Sequence, residues 1–170
     1  MRPTQLLAPT TLFMALSTTC AVAQTDAPGL KWRPAPAMFP KGAEMAVIQG
    51  DPGSSSLFTV RLRLPAGYRL APHTHPTDEK LTVIRGALAV GQGASVSPTG
   101  MQTLTAGKSV TEPASEAHYA IARTATEVQV HARGPFEMKY INPADVPLAA
   151  KAPSATTPAA IALTKAAVKR

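Results

Sequence analysis

His73 and His75 stand one residue apart in the run GYRLAPHTHPTDEKLTVIRG, and Glu79 follows four residues after the second histidine. The chain has four histidines in all, so half of them fall within three residues. Residues two apart on a strand project to the same side, so the two imidazoles point together, either into the fold or out to solvent. Pro76 and the polar Thr77 and Asp78 turn the chain, and Glu79 opens the next extended run. Two imidazoles and a carboxylate from neighbouring strands offer three donors to a divalent first-row ion, at bond lengths of about 2.0–2.2 Å. Taken alone, these three residues fit a ligand set and a coincidental pair on an exposed loop equally well.

Composition narrows the chemistry. Cys20 is the only cysteine of the 170 residues, and it lies inside an apolar leader. Thiolate nucleophiles, disulfides and cysteine-held metals are thereby excluded from the remainder, and any ion must be held by His, Asp or Glu. The leader has a short positive start at Arg2, an apolar run from Leu6 to Leu16, and small residues at Ala21 and Ala23. This order predicts an export signal over residues 1–23, cleaved before Gln24, and a periplasmic or secreted product. The apolar run is too short to span a bilayer, so no integral membrane span is expected once the signal is removed.

The net charge of +7 does not point to nucleic acid. Without Arg2 the rest carries 16 basic and 10 acidic residues, and Lys151, Lys165, Lys169 and Arg170 supply four of the six surplus charges. The basicity therefore belongs mainly to residues 148–170, an Ala-, Thr- and Pro-rich segment too poor in large apolar groups to offset its ordering entropy. It is expected to be a disordered tail. No phosphate-binding glycine loop, Ser-His-Asp arrangement or nucleic-acid motif is present.

The elements that must position the histidines read as short strands. Leu57 to Leu64 alternates cleanly, with Phe58, Val60, Leu62 and Leu64 on one face and Thr59, Arg61 and Arg63 on the other. Ala43 to Gly50, Met101 to Gly107, His118 to Ala122, Thr126 to Ala132 and Phe136 to Ile141 follow the same style, split by Gly, Pro and polar turns. Lys80 to Gly86 and Ala87 to Gly93 read as a hairpin about Gly86. About ten short strands and no long amphipathic helix predict an all-β sandwich or barrel. A single barrel over residues 42–147, preceded by an arm at 24–41, accounts for the body of the chain.

The full spacing goes further. Gly67, five residues, His73, one residue, His75, three residues, Glu79, six residues and Gly86 resembles the first motif of the cupin superfamily at every specified position. Twenty residues later, Gly107, Pro113, Ser115 and His118 resemble the second motif. Ser115 stands where that motif usually has glycine, and Ala122 where it usually has asparagine. The resemblance implies a double-stranded β-helix, or jelly-roll barrel, holding one divalent transition metal (Fe, Mn, Zn, Ni or Cu) on His73, His75, Glu79 and His118. His118, from a separate strand pair, would then clamp the two parts of the barrel through the ion. Small cupins also commonly form homodimers.

Gln129 and His131 share one face of their strand, opposite Val128 and Val130. If that face looks inward, both line the pocket beside the metal; otherwise both are solvated. Cupins include oxygenases, isomerases, decarboxylases, storage proteins and non-catalytic sensors, among them a domain of some anti-sigma factors, and fold does not choose between them. Three functions stay open. One is an exported metal-dependent enzyme of dioxygenase or isomerase type acting on a small organic molecule. The second is a metal- or ligand-binding module without turnover. The third is a structural barrel with a degenerate site, which would hold the histidines apart.

Overall fold

Strand alternation sorts the body of the chain into two layers. In the computed structural model, which describes residues 29–151, the strand β3 (Leu57–Leu64) buries Phe58, Val60, Leu62 and Leu64 to 3% exposure or less. Arg61 and Arg63 stay half-exposed on its outer face. Around it lie β1 (Arg33–Pro34), β2 (Glu44–Gln49), β5 (Glu79–Arg85), β8 (Ser109–Glu112) and β10 (Thr126–Arg133), giving a six-stranded antiparallel sheet in the order β1-β2-β3-β10-β5-β8. The second sheet is β11-β4-β9-β6-β7, from β4 (Arg69–Thr74), β6 (Ala87–Gln92), β7 (Gln102–Thr105), β9 (His118–Ala122) and β11 (Lys139–Tyr140). The expected all-β, jelly-roll architecture is the one observed.

The core lies between the sheets. Val60 pairs with Val130, and Leu62 with Val128, on the inner face of one layer. Leu88, Val90, Leu104, Ala120 and Ala122 face them from the other. Apolar area removed from water at roughly 25 cal/mol per Å² is the main favourable contribution to such a core. The arm joins it, for Phe39 is 4% exposed and β1 extends the larger sheet through β2.

The expected hairpin about Gly86 is not formed. β5 and β6 belong to different sheets, and each pairs with other strands. Gly86 makes a corner, not a hairpin turn. Its φ of 84° and the Ala125 carbonyl, 2.5 Å from where a Cβ would sit, leave room only for glycine. The outer side of the corner is held by Thr126, whose hydroxyl donates to the Ala87 carbonyl at 3.0 Å.

The predicted export signal and residues 152–170 lie outside the described residues. The first four residues of the expected tail form one helical turn, Leu148–Lys151. Among the described residues no helix is long and apolar enough to cross a membrane.

Gly91 is a second position set by packing. A Cβ there would overlap the Tyr119 ring. That ring is 1% exposed, and its hydroxyl accepts from the Ser97 amide at 2.8 Å. Gly91→Ala is expected to destabilise the barrel by about 1–3 kcal/mol, the usual cost of overpacking. Urea unfolding checks this; an unchanged midpoint would show that Tyr119 moves aside freely.

Candidate metal centre

His73 is the fifth residue of β4, and its register partner on β9 is His118. Antiparallel pairing alone therefore sets two imidazoles side by side. His75 follows just past the end of β4, two residues on, so its ring returns to the same face. Glu79 begins β5 in the opposite sheet. The ring centroids of His73 and His118 are 4.4 Å apart, those of His73 and His75 5.0 Å, and those of His75 and His118 5.2 Å. One nitrogen from each of the three lies within 4.8 Å of the others, a grouping that could hold a metal ion. All three histidines and Glu79 are buried, none more than 6% exposed.

The expected division of labour is reversed. His118 does not bridge the two sheets, because it is a direct neighbour of His73. Glu79 is the residue that reaches across, with Oε2 3.3 Å from His75 Nε2 and 3.6 Å from His118 Nε2. Two donors at about 2.1 Å from a shared ion stand about 3.0 Å apart at a right angle and about 3.4 Å at the tetrahedral angle. These separations are of that size.

The local backbone chooses which nitrogen faces inward. His73 Nδ1 lies 2.7 Å from the Ala71 carbonyl, His75 Nδ1 2.6 Å from the Glu137 carbonyl, and His118 Nδ1 3.2 Å from the Glu116 carbonyl. A carbonyl only accepts, so each Nδ1 carries the hydrogen and each neutral ring presents its Nε2 lone pair to the centre. His75 Nε2 is buried and, despite its approach to Glu79, makes no hydrogen bond. The His75 ring also stacks on Phe136, at 5.6 Å and 16°. Ser115 holds the approach to His118 from the left-handed region, φ 63°, where the second motif usually has glycine, and its amide donates to the His75 carbonyl at 2.8 Å. The departure in sequence thus keeps the turn.

Charge in the cluster is coupled. Burial, reinforced by His118, pushes His73 down to about 4. Burial opposes protonation of His75 as well, but the Glu79 carboxylate outweighs it and raises that group. Burial would raise Glu79, yet His118 and His75 hold it at about 2. A proton on His75 beside an ionised Glu79 occupies the place a cation would take. The donor set fits a borderline first-row ion: neutral imidazole nitrogen, one carboxylate oxygen and no thiolate.

Around these polar groups the cavity is apolar and small, about 30 Å³, with Phe39, Leu62, Leu88, Val130, Phe136 and Met138 among its walls. Gln129 and His131 are not there. Both lie on the outer face of β10, because Val128 and Val130 take the inner one. Gln129 accepts from Arg61 at 3.4 Å, while His131, exposed, bonds the Thr59 hydroxyl at 2.9 Å. Arg61 and Arg63 also serve that outer face, binding Glu127 at 3.0 and 3.4 Å. Glu112 lines the cavity and was missed by the reading of motifs. The available signal was its spacing two residues after Val110, in a strand of only four residues.

Residues 20–137 match the family described as the ChrR cupin-like domain. The chain belongs to this family of the cupin superfamily. Similar solved structures include a proposed acetylacetone dioxygenase from Methylibium petroleiphilum PM1, with 20% identity, coverage of 84% of this chain and 90% of that one, and a TM-score of 0.56. The polyketide cyclase RemF from Streptomyces resistomycificus is 13% identical over 70% of this chain and 84% of its own, also at 0.56. An RmlC-like cupin from Shewanella frigidimarina is 17% identical over 65% and 89%, at 0.50. At these identities the likeness shows the shared fold. No protein of curated function matches the chain.

The His73 shift gives the metal-free protein a pH dependence of defined sign. Between pH 6.5 and about 4 the unfolded chain binds a proton at His73 that the folded protein refuses, so stability falls as pH falls. His75, raised in the folded state, works with the opposite sign, adding stability as pH falls toward 6.5 and nothing further well below it. Glu79 adds its own loss only lower, as pH drops from 4.5 through about 2. The expected loss from His73 is on the order of 3 kcal/mol. Urea unfolding of chelator-treated protein at pH 5.5 and 4.5, below the range in which His75 contributes a change, measures the slope, and equal stabilities would contradict the burial argument.

Proposed function

We propose that this chain is an exported mononuclear metal protein whose ion is held by His73, His75, His118 and Glu79 and which acts on a small, mainly apolar organic molecule as a metal-dependent oxygenase. The observation that carries the reading is the inward presentation of three imidazole Nε2 lone pairs, each fixed by a backbone carbonyl at Nδ1. Export rests on the leader pattern of residues 1–23.

A first-row ion bound here would supply Lewis acidity and, if redox-active, a site for dioxygen. The chain's own contribution is geometric. The carbonyls hold the imidazoles in the ligating tautomer, Glu79 offsets one positive charge, and the apolar walls exclude bulk water. Three imidazoles and one carboxylate oxygen leave room in a five- or six-coordinate sphere for exchangeable ligands. The proposed acetylacetone dioxygenase among similar structures suggests small dicarbonyl compounds as first substrates to try.

One observation favours a second reading, a binding module without turnover. The cavity of about 30 Å³ is the size of a water or two, so an organic substrate requires the walls to move. Oxygen uptake by iron-loaded full-length protein with acetylacetone and small phenols separates the two. Uptake that depends on the ion supports the oxygenase. A thermal shift by these compounds without uptake supports the binding module.

Metal binding itself has two expected signatures. Ligand imidazoles must be neutral, so protons compete with the ion: His75, raised by Glu79, is protonated more readily than a free imidazole, whereas His73 takes a proton only near pH 4, and binding weakens as pH falls across that span. A divalent ion should raise the melting temperature by mass action, and a chelator should reverse the gain. His118→Ala should weaken zinc binding by at least about 100-fold, beyond the 10–100-fold typical of residues that only orient a ligand. Competition with a chromogenic chelator reads this. Parent-like affinity in His118→Ala would remove that residue from the ligand set.

A further inference from the structure

Glu112 is 1% exposed, as is Glu127, yet the two are served very differently. Glu127 is met by the guanidinium groups of Arg61, Arg63 and Arg85 at 3.0–3.4 Å. Glu112 Oε2 receives one neutral donor, the Gln92 amide at 2.5 Å, and lies 3.9 Å from His118 Nδ1. Its Oε1 is buried with no partner at all. A carboxylate oxygen removed from water without a partner is costly, so its retention calls for a group that completes it.

The topology says where that group sits. Glu112 is the register partner of Glu79, and Gln92 is the register partner of His118. Side chains directly opposite on neighbouring strands share a face, so the two glutamates face the same cavity, and both line it. Like charges in such a position repel one another unless a cation stands between or beside them. A divalent ion with Glu79 alone leaves one uncompensated positive charge in an apolar cavity. Glu112 brings the total to zero.

We propose that Glu112 belongs to the metal centre, where its carboxylate balances the second charge of the ion and its Oε1 accepts a hydrogen from a water or hydroxyl group at the ion's exchangeable position. The inference rests on the metal-binding reading above and adds a selectivity: the centre favours small ligands that carry an O–H or N–H donor. Gln92 is the positioning residue, holding Oε2 so that Oε1 stays turned from it. Glu112 is placed by β8, outside the HxH run, beside Glu79 on the larger sheet.

The test uses zinc as the probe and the full-length chain, with Glu112→Gln and Glu112→Asp beside the parent. Charge and shape give opposite orders. If Glu112 balances the ion, Asp keeps zinc affinity within about threefold, whereas Gln weakens it 10–100-fold. The metal-free Gln protein should melt no lower than the parent, because one of two facing carboxylates has been neutralised. A purely structural role would reverse this, with zinc affinity of the Gln variant near the parent's and that of the shorter Asp variant lower. That order overturns the proposal. So does a Gln variant that binds zinc as tightly as the parent. A parent that binds no zinc, iron or nickel overturns the metal centre itself, a result distinct from failure of the Glu112 role alone.

Discussion

The structure depends on keeping three imidazoles inside a small, apolar-walled cavity with one defined nitrogen facing the centre. Burying polar rings among Leu, Val and Phe side chains is unfavourable unless their nitrogens are satisfied. Backbone carbonyls satisfy the outer nitrogen of each ring. The inner nitrogens have only Glu79 and one another, and His75 Nε2 is left without a hydrogen bond. A cation at that point would resolve the cluster at once, supplying a partner to the lone pairs and to the carboxylate of Glu79.

The barrel serves this constraint by bringing the donors from both layers. Pairing of β4 with β9 sets His73 against His118, and β5 delivers Glu79 from the facing sheet. The segment after the larger sheet closes the site, since the Glu137 carbonyl fixes His75 and Phe136 stacks upon its ring. The same segment places Tyr140 5.9 Å from His73, with its hydroxyl donating to the Met38 carbonyl at 2.8 Å. Burial and the nearby Asp145 push that tyrosine up to about 12, so it remains a neutral donor. The N-terminal arm, through Met38 and Phe39, is thus tied to the wall of the cavity.

Much of this was legible in the sequence, and the failures have a common cause. The alternation of β3 gave its inner face directly, because period-two patterning reports local orientation. The spacing of His73, His75 and Glu79 likewise marked a cluster, since it depends on two adjacent strands and one turn. Which strands become neighbours is a different kind of fact. The chain about Gly86 has the pattern of a hairpin, but its two strands join separate sheets, and nothing local distinguishes a tight turn from a corner. Gln129 and His131 could be paired to one face from sequence, but only the pairing of β10 between β3 and β5 shows that this face is the outer one. Glu112 escaped notice because SVTE is four residues long with one apolar group, too short for a periodicity to emerge.

The central claim is that one ion is bound by the three inner imidazole nitrogens and Glu79. X-ray absorption spectroscopy of the full-length protein loaded with one equivalent of zinc tests it most directly. The account expects multiple-scattering features of three imidazoles, nitrogen and oxygen neighbours at about 2.0–2.2 Å, and no sulfur. A spectrum with one imidazole or none, or with oxygen ligands only, would place the ion elsewhere on the protein and contradict the account.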